Sequence, residues 1–300
     1  MSRLKIIPIA NEIEQKLKQA LPITAWNVGG RTVLWLLIVG AMIYALFPLL
    51  WMLITSLQPE QLLFTYPPEV EPLNWSFEHY QNLIRTNDQF LLYYRNSVIV
   101  SVAATAATIT LGTFAAYSIS RFEYAGKEFL DNSILLVYMF PAIVLVIPLG
   151  IMLSEFNLTN TWHGLAVVYL TFALPFSIWV LREFFNGIPF SLEESAMIDG
   201  ASRMQAFFYV VLPNALPGII ATSIFTWSLA WNDFLFASVI MSDTNMQTLP
   251  VGLNTLLNSA NPAWGQFMAA NVLVTVPVLI LYILVQDKLV EGFGAGGVKG

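Results

Sequence analysis

Phe190-Ser191-Leu192-Glu193-Glu194-Ser195-Ala196-Met197-Ile198-Asp199-Gly200-Ala201-Ser202 is a polar island in an apolar chain. Ser191 followed three residues later by Glu194 has the form of a capping box, which predicts a helix start at that point. Glu193 and Glu194 in the first turn suit the positive end of the helix dipole. Gly200 is placed to end that helix in a left-handed turn. Ser202 can then cap a second short helix running toward Leu212-Pro213. The pattern is therefore helix, sharp turn, helix, within a connection (186–215) of about 30 residues, a length that in a compact domain usually signals a job.

On both sides of this island the sequence becomes apolar. Crossing a hydrocarbon core takes about 20 residues of helix, and six stretches qualify: Thr32–Ser56, Tyr94–Ile119, Phe129–Leu153, Gly164–Phe185, Leu216–Ile240 and Phe267–Val285. Only 11% of the residues are charged, against roughly 25% in soluble domains, while 57% are hydrophobic and the mean hydropathy is +0.66, so the apolar surplus must face lipid. The fold class is an all-α integral membrane protein with six transmembrane helices. Pro48, Pro141, Pro148, Pro175 and Pro277 fall inside the spans, where neighbours must satisfy the carbonyls they free. Ala104, Thr108, Gly112 and Ala116 form a row of small residues four apart, which lets another helix approach closely.

Lysine and arginine orient the spans. With a cytoplasmic N-terminus, Arg3, Lys5, Lys16, Lys18, Arg31, Arg121, Lys127, Arg182, Arg203, Lys288 and Lys299 lie inside and only Arg85 and Arg95 outside. That asymmetry follows the positive-inside rule. It puts both termini and the 186–215 loop in the cytoplasm, and Leu57–Tyr93 and Met241–Gln266 outside. Residues 1–31 form a cytoplasmic N-terminal segment, 32–285 the six-helix domain and 286–300 a cytoplasmic tail. Ile13, Leu17, Ala20 and Leu21 have helical spacing, compatible with an amphipathic helix on the membrane surface or with a solvated leader.

The run Glu194-Ser195-Ala196, three residues, Gly200, nine residues, Val210, one residue, Leu212-Pro213 resembles the EAA signature of binding-protein-dependent ABC importer permeases. Ser195 replaces an alanine and Val210 an isoleucine. Asn96-Ser97, Ala116-Tyr117-Ser118, Arg121-Phe122, Trp231-Asn232-Asp233-Phe234 and Thr248-Leu249-Pro250-Val251-Gly252-Leu253 look like carbohydrate permeases. The tail Gly294–Gly300 is similar to that of the six-span permease of maltose-type transporters. The resemblance implies a type I ABC permease fold in the bacterial inner membrane. It implies a coupling helix in which Glu193, Glu194, Ser195, Ala196, Met197, Asp199, Gly200, Leu212 and Pro213 engage a separate ATPase. It further implies a second, unlike permease, two ATPase subunits that hold ATP and Mg, and an external sugar-binding protein that meets Met241–Gln266, with Asn254 and Asn258 as contacts. The substrate class would be an oligosaccharide or glycoside such as maltose or trehalose, and in the maltose-type system the sugar site lies mainly in the other permease.

The chain has no G-x-x-x-x-G-K-[ST] motif, and Ala125-Gly126-Lys127 is no substitute, so ATP hydrolysis must reside elsewhere. Cysteine is absent. His79 and His163 are far apart in expected loops, so no metal site, catalytic centre or cofactor of its own is expected, and nothing points to nucleic acid. The rival classes are an ion-coupled secondary transporter and an intramembrane enzyme. The first tends to carry acids at mid-membrane, and only Asp233 lies well inside a span. The second needs a paired nucleophile and base that this sequence does not bring together. Trp231, Asn232 and Asp233 are the candidates for substrate contact or gating, with a structural aromatic the competing reading of Trp231. Asp131 and Asn132 read as interfacial polar residues, Trp75 and Trp162 as interface anchors.

Overall fold

The structure, a computed structural model, describes residues 28–67, 69–85, 88–258 and 263–296. The proposed amphipathic segment around Ile13–Leu21 and Gly297–Gly300 of the tail lie outside these residues. Among the described residues there are helices, turns and no strand. The chain divides into two compact units, Met1–Ile54 and Thr55–Gly300. Helix α1 (Val28–Leu57) makes up the described part of the first and runs on past its end at Ile54, with Pro48 inside it and Phe47 stacked on Trp51.

In the second unit the order is α2 (Glu78–Arg85), α3 (Asp88–Arg121), α4 (Lys127–Tyr138), α5 (Val146–Glu155), α6 (Trp162–Gly187), α7 (Phe190–Ile198), α8 (Arg203–Asn214), α9 (Leu216–Asn232), α10 (Leu235–Ile240), α11 (Leu249–Leu257) and α12 (Trp264–Gly296). Among the described residues, four helices are long and apolar enough to cross a membrane unaided: Thr32–Leu57, Gln89–Arg121, Trp162–Gly187 and Trp264–Gln286. The other two expected spans are broken. Span three bends by 93° between α4 and α5, where Pro141 removes an amide and disfavours helix at Phe140. Span five stops at Asn232 and restarts at Leu235. The last span also overruns its expected end at Val285, because α12 continues to Gly296. Both histidines sit on helices rather than loops, His79 on α2 and His163 in the first turn of α6.

Helices α3, α6 and α9 pack on one another, and α12 packs on α9. The small-residue row makes this possible: Ala104, Thr108 and Ala116 are fully buried, and a methyl added at Gly112 would meet Ser177 Cβ at 3.4 Å. Close backbone approach is how membrane helices gain dispersion energy where lipid offers no hydrophobic drive. Around Tyr169 a core joins α3, α5, α6 and α10; around Tyr117 and Phe207 a second joins α3, α6 and α8. A third packs Trp231, Phe90, Tyr93, Leu249 and Ala270.

The segments that precede α11 and α12 are held to the helix ends by polar side chains. Asn96 Nδ2 donates to the carbonyls of Asn245 (2.8 Å) and Gln247 (2.9 Å), and Asn96 Oδ1 accepts from Trp162 Nε1 at 3.2 Å. Ser97 Oγ accepts from the Leu249 amide at 2.8 Å, at the start of α11. Glu60 accepts from the Trp264 and Gly265 amides (2.8 and 3.0 Å), which caps α12 where its dipole is positive. Gly252 lies flat on Tyr93, and any Cβ there would enter the ring. Gly252→Val should therefore destabilise the folded protein by about 1–3 kcal/mol, the usual cost of overpacking. Thermal unfolding in detergent checks this; an unchanged midpoint would mean that α11 is not seated on Tyr93.

Candidate functional site

The element built from the 186–215 connection is helix, turn, helix, as expected, but its start differs. Pro189 is the N-cap of α7 and makes no side-chain bond. Proline suits a helix start because its missing amide is not needed there, so Ser191 falls inside the first turn and the Ser191/Glu194 capping box does not form. The capping box forms one helix later. Ser202 Oγ accepts from the Gln205 amide (3.3 Å), and Gln205 Oε1 accepts from the Ser202 amide (2.7 Å).

Between the two helices Gly200 has φ +96°. The Gly200 amide donates to the Met197 carbonyl (3.1 Å) and the Ala201 amide to the Ala196 carbonyl (3.0 Å). That pair of bonds is the Schellman closure, so the glycine is required by backbone conformation. Space is not the reason, since a Cβ at Gly200 would meet nothing within 4 Å. Beyond Ser202, α8 passes through a π-helical turn at Phe207–Val211, and then bends by 73° into α9. Leu212 is half-buried against the Phe207 core, whereas Pro213 is exposed at the elbow.

Glu194, Ser195, Asp199 and Gly200 are exposed, Ala196 and Met197 half-buried, and Ile198 is 85% exposed at the tip of α7. Glu193 departs from this set. Its side chain is 1% exposed and turned inward, with Oε1 paired to Arg121 Nε at 2.5 Å and Oε2 accepting from the Tyr117 hydroxyl at 2.9 Å. The sequence marked Arg121 only as a cytoplasmic charge and part of a family motif. What it hid was a cation ending a span whose acidic partner, Glu193, lies on α7 after three further helices. Asp131, read as interfacial, pairs with Arg182 at 2.8 Å.

The substrate candidates also separate. Trp231 is buried to 1%, stacks on Trp227 with ring centroids 4.8 Å apart, and donates to the Val274 carbonyl at 3.3 Å. It is a core residue and presents no free ring face. Asn232 is exposed and donates to Ser228 O at 2.8 Å. Asp233 occupies the break in span five: Oδ2 accepts from the Tyr169 hydroxyl (3.0 Å) and the Ala237 amide (3.0 Å), Oδ1 from the Phe236 amide (3.5 Å). It caps α10 from within the membrane-spanning region. Both broken spans line one cavity of about 400 Å³, walled by Tyr138, Phe140, Tyr169, Phe172, Phe236 and Asp233 among others. Irregular backbone at membrane depth is tolerated where it is buried in protein or lines a water-filled cavity. On α11, Asn254 and Asn258 are exposed and bonded to each other (3.0 Å), while Leu249, Val251 and Gly252 are buried.

Residues 108–293 match the family described as binding-protein-dependent transport system inner membrane component. The chain belongs to that family. It is a non-catalytic, multi-pass inner-membrane permease subunit. At 36% identity it is similar to the inner membrane ABC transporter permease protein YcjP of Escherichia coli, over 86% of this chain and 93% of that one. The trehalose transport system permease protein SugB of Mycobacterium tuberculosis is also 36% identical, over 88% and 95%. The trehalose/maltose transport system permease protein MalG of Thermococcus litoralis is 34% identical, over 88% and 96%. The fold is that of a chain in the crystal structure of a bacterial ABC transporter importing the acidic polysaccharide alginate. The TM-score is 0.78 at 20% identity, covering 88% of this chain and 99% of that one.

Asp233→Ala should uncap α10 and leave the buried Tyr169 hydroxyl without its acceptor, at a cost of about 1–3 kcal/mol. Asp233→Asn keeps an acceptor and should cost less. Denaturant unfolding in detergent reads both, and wild-type stability for the alanine variant would rule out the cap.

Proposed function

We propose that this permease is one of two unlike membrane halves of an ATP-driven sugar importer, with an oligosaccharide or glycoside such as trehalose or maltose as its substrate. The trehalose and trehalose/maltose transport systems to which SugB and MalG belong support the sugar class. The 186–215 element is the coupling loop, and α7 is the helix that docks on a separate ATPase. Two ATPase subunits supply ATP and Mg chemistry. The observation that carries this reading is the Schellman turn at Gly200, which holds an exposed, EAA-type helix at a fixed angle to its successor. Force transfer between chains needs such a fixed angle. Of the substrate candidates, Asp233 is the one retained, because it joins an aromatic-walled cavity whose volume falls in the range of ligand pockets, roughly 300–1,000 Å³.

Gly200→Leu must place a branched side chain in left-handed backbone, at roughly 1–2 kcal/mol. It should leave the protein inserted in the membrane and abolish stimulation of ATP hydrolysis by sugar-loaded binding protein. Gly200→Asn, which tolerates that conformation, should retain most of the stimulation. Normal stimulation and uptake in the leucine variant would remove the coupling role.

Both termini are placed in the cytoplasm on the strength of the lysine and arginine asymmetry, and the exposed Asn254–Asn258 face of α11 is assigned to the external binding protein. The chain lacks cysteine, so single thiols report cleanly. Asn258→Cys should react with an impermeant maleimide from outside and crosslink to the binding protein, and Gly300→Cys only from inside. Labelling of both from one side would overturn the topology.

A further inference from the structure

Arg121 and Glu193 form a nearly dry ion pair, with side chains 7% and 1% exposed. Three further contacts gather there. Tyr117, one turn earlier on α3, donates to the same carboxylate at 2.9 Å. Arg121 Nη2 donates to the Ile188 carbonyl at 2.8 Å, in the junction between α6 and α7. The guanidinium also lies 5.8 Å from the Phe190 ring centroid at the start of α7. One end of α3 is thus fixed to the first turn of α7. A buried ion pair is a poor device for stability alone, because desolvation consumes most of the attraction and an apolar pair of similar volume often does as well. It is a good device for holding one register.

The other end of α3 is fixed as well. Asn96 holds the Asn245 and Gln247 carbonyls, and Ser97 holds the Leu249 amide that opens α11. Between Asn96 and Arg121, α3 runs as unbroken helix for about 37 Å at 1.5 Å per residue. The other spans carry a proline or a break. Among the described spans, α1, α6 and α12 contain Pro48, Pro175 and Pro277, and the remaining two are broken; α3 alone is continuous and free of proline.

We propose that α3 is the strut that carries conformational change between α7 and α11, with Arg121–Glu193 and Asn96–Ser97 as its two fixed joints. Glu193 is then a positioning residue acting through α3, not part of the surface offered to the ATPase. The inference rests on the reading of α7 as the docking helix and of α11 as the face toward the binding protein. A demonstrated coupling is needed for any such path, and joints in series make a specific prediction about it.

The assembled transporter, reconstituted with its ATPase and sugar-binding protein, tests this with Glu193→Gln, Asn96→Ala and the double variant. ATPase should still copurify with Glu193→Gln. Stimulation of ATP hydrolysis by sugar-loaded binding protein should fall at least tenfold in each single variant. The double variant should be no worse than either, because a strut broken at one joint transmits nothing through the other. The charge exchange Arg121→Glu with Glu193→Arg should recover part of the stimulation that either single change removes. Multiplicative losses in the double variant would overturn the strut, as would loss of ATPase copurification with Glu193→Gln, which would return Glu193 to the docking surface. Should Glu193→Gln fail to accumulate, Tyr117→Phe, which deletes one hydrogen bond at the same joint, must give the same non-additivity with Asn96→Ala. Full stimulation in these variants together with loss in Gly200→Leu would overturn the strut and leave the coupling loop standing.

Discussion

Lipid offers no partner to a backbone amide or carbonyl, and every departure from helix in this chain has to be answered from within. The polar residues are distributed accordingly. Asn96 answers two carbonyls of the segment before α11, Ser97 the amide that opens it, and Glu60 two amides of α12. Asp233 answers the amides exposed by the break in span five, Arg121 the Ile188 carbonyl, and Thr161 Oγ1 the Gly164 amide at the start of α6. These polar side chains are thus engaged in holding backbone, and only Asp233 among them is also a candidate for substrate contact or gating. Asp233 does both jobs on the reading proposed here, since its fixed carboxylate also faces a cavity.

The same constraint explains why small residues matter more than large ones at the centre of the unit. Apolar surface alone does not select a neighbour inside a bilayer, because lipid tails are equally apolar. Shape selects it. The Ala104–Ala116 row brings α3 against α6, and that contact puts the end of α3 beside the α6–α7 junction where Arg121 finds both Ile188 and Glu193. Packing chosen by alanine and glycine therefore decides where a buried charge pair can form.

What was legible in the sequence was whatever is encoded within about one helical turn. Gly200 could be read as a left-handed exit because positive φ is a property of the residue itself. Ser202 could be read as a cap because its hydroxyl needs only an amide three residues on, that of Gln205. Ser191 and Glu194 offered an equally good local pattern and lost, because Pro189 begins the helix two residues earlier. Proline positions were visible, but not their consequences. Pro175 and Pro277 sit in continuous helices while Pro141 marks a 93° bend, and which outcome follows depends on neighbours. The ties between distant segments were hidden altogether: the Tyr117–Glu193 bond spans 76 residues and the Glu60–Trp264 bond 204. Asn96-Ser97 and Thr248–Leu253 were both noticed as family motifs. Only the fold reveals that they are two halves of one joint.

The α7–α8 element shows how a short helix can be rigid without being intrinsically stable. Nine residues are too few for an isolated helix in water, where about 12–15 are marginal even for good sequences. Its order comes from its ends and its anchor. Pro189 sets the entry, the Schellman bonds at Gly200 close the exit, and Ser202 with Gln205 starts the next helix without slack. Phe207 then packs within 4.5 Å of the Tyr117 ring centroid, so α8 leans on the same turn of α3 that holds Glu193. With its entry, exit and inner face all tied down, α7 cannot absorb a displacement at Ile198 by fraying. The displacement must pass into the spans or be resisted by them, and that condition has to hold in any helix that couples one protein to another.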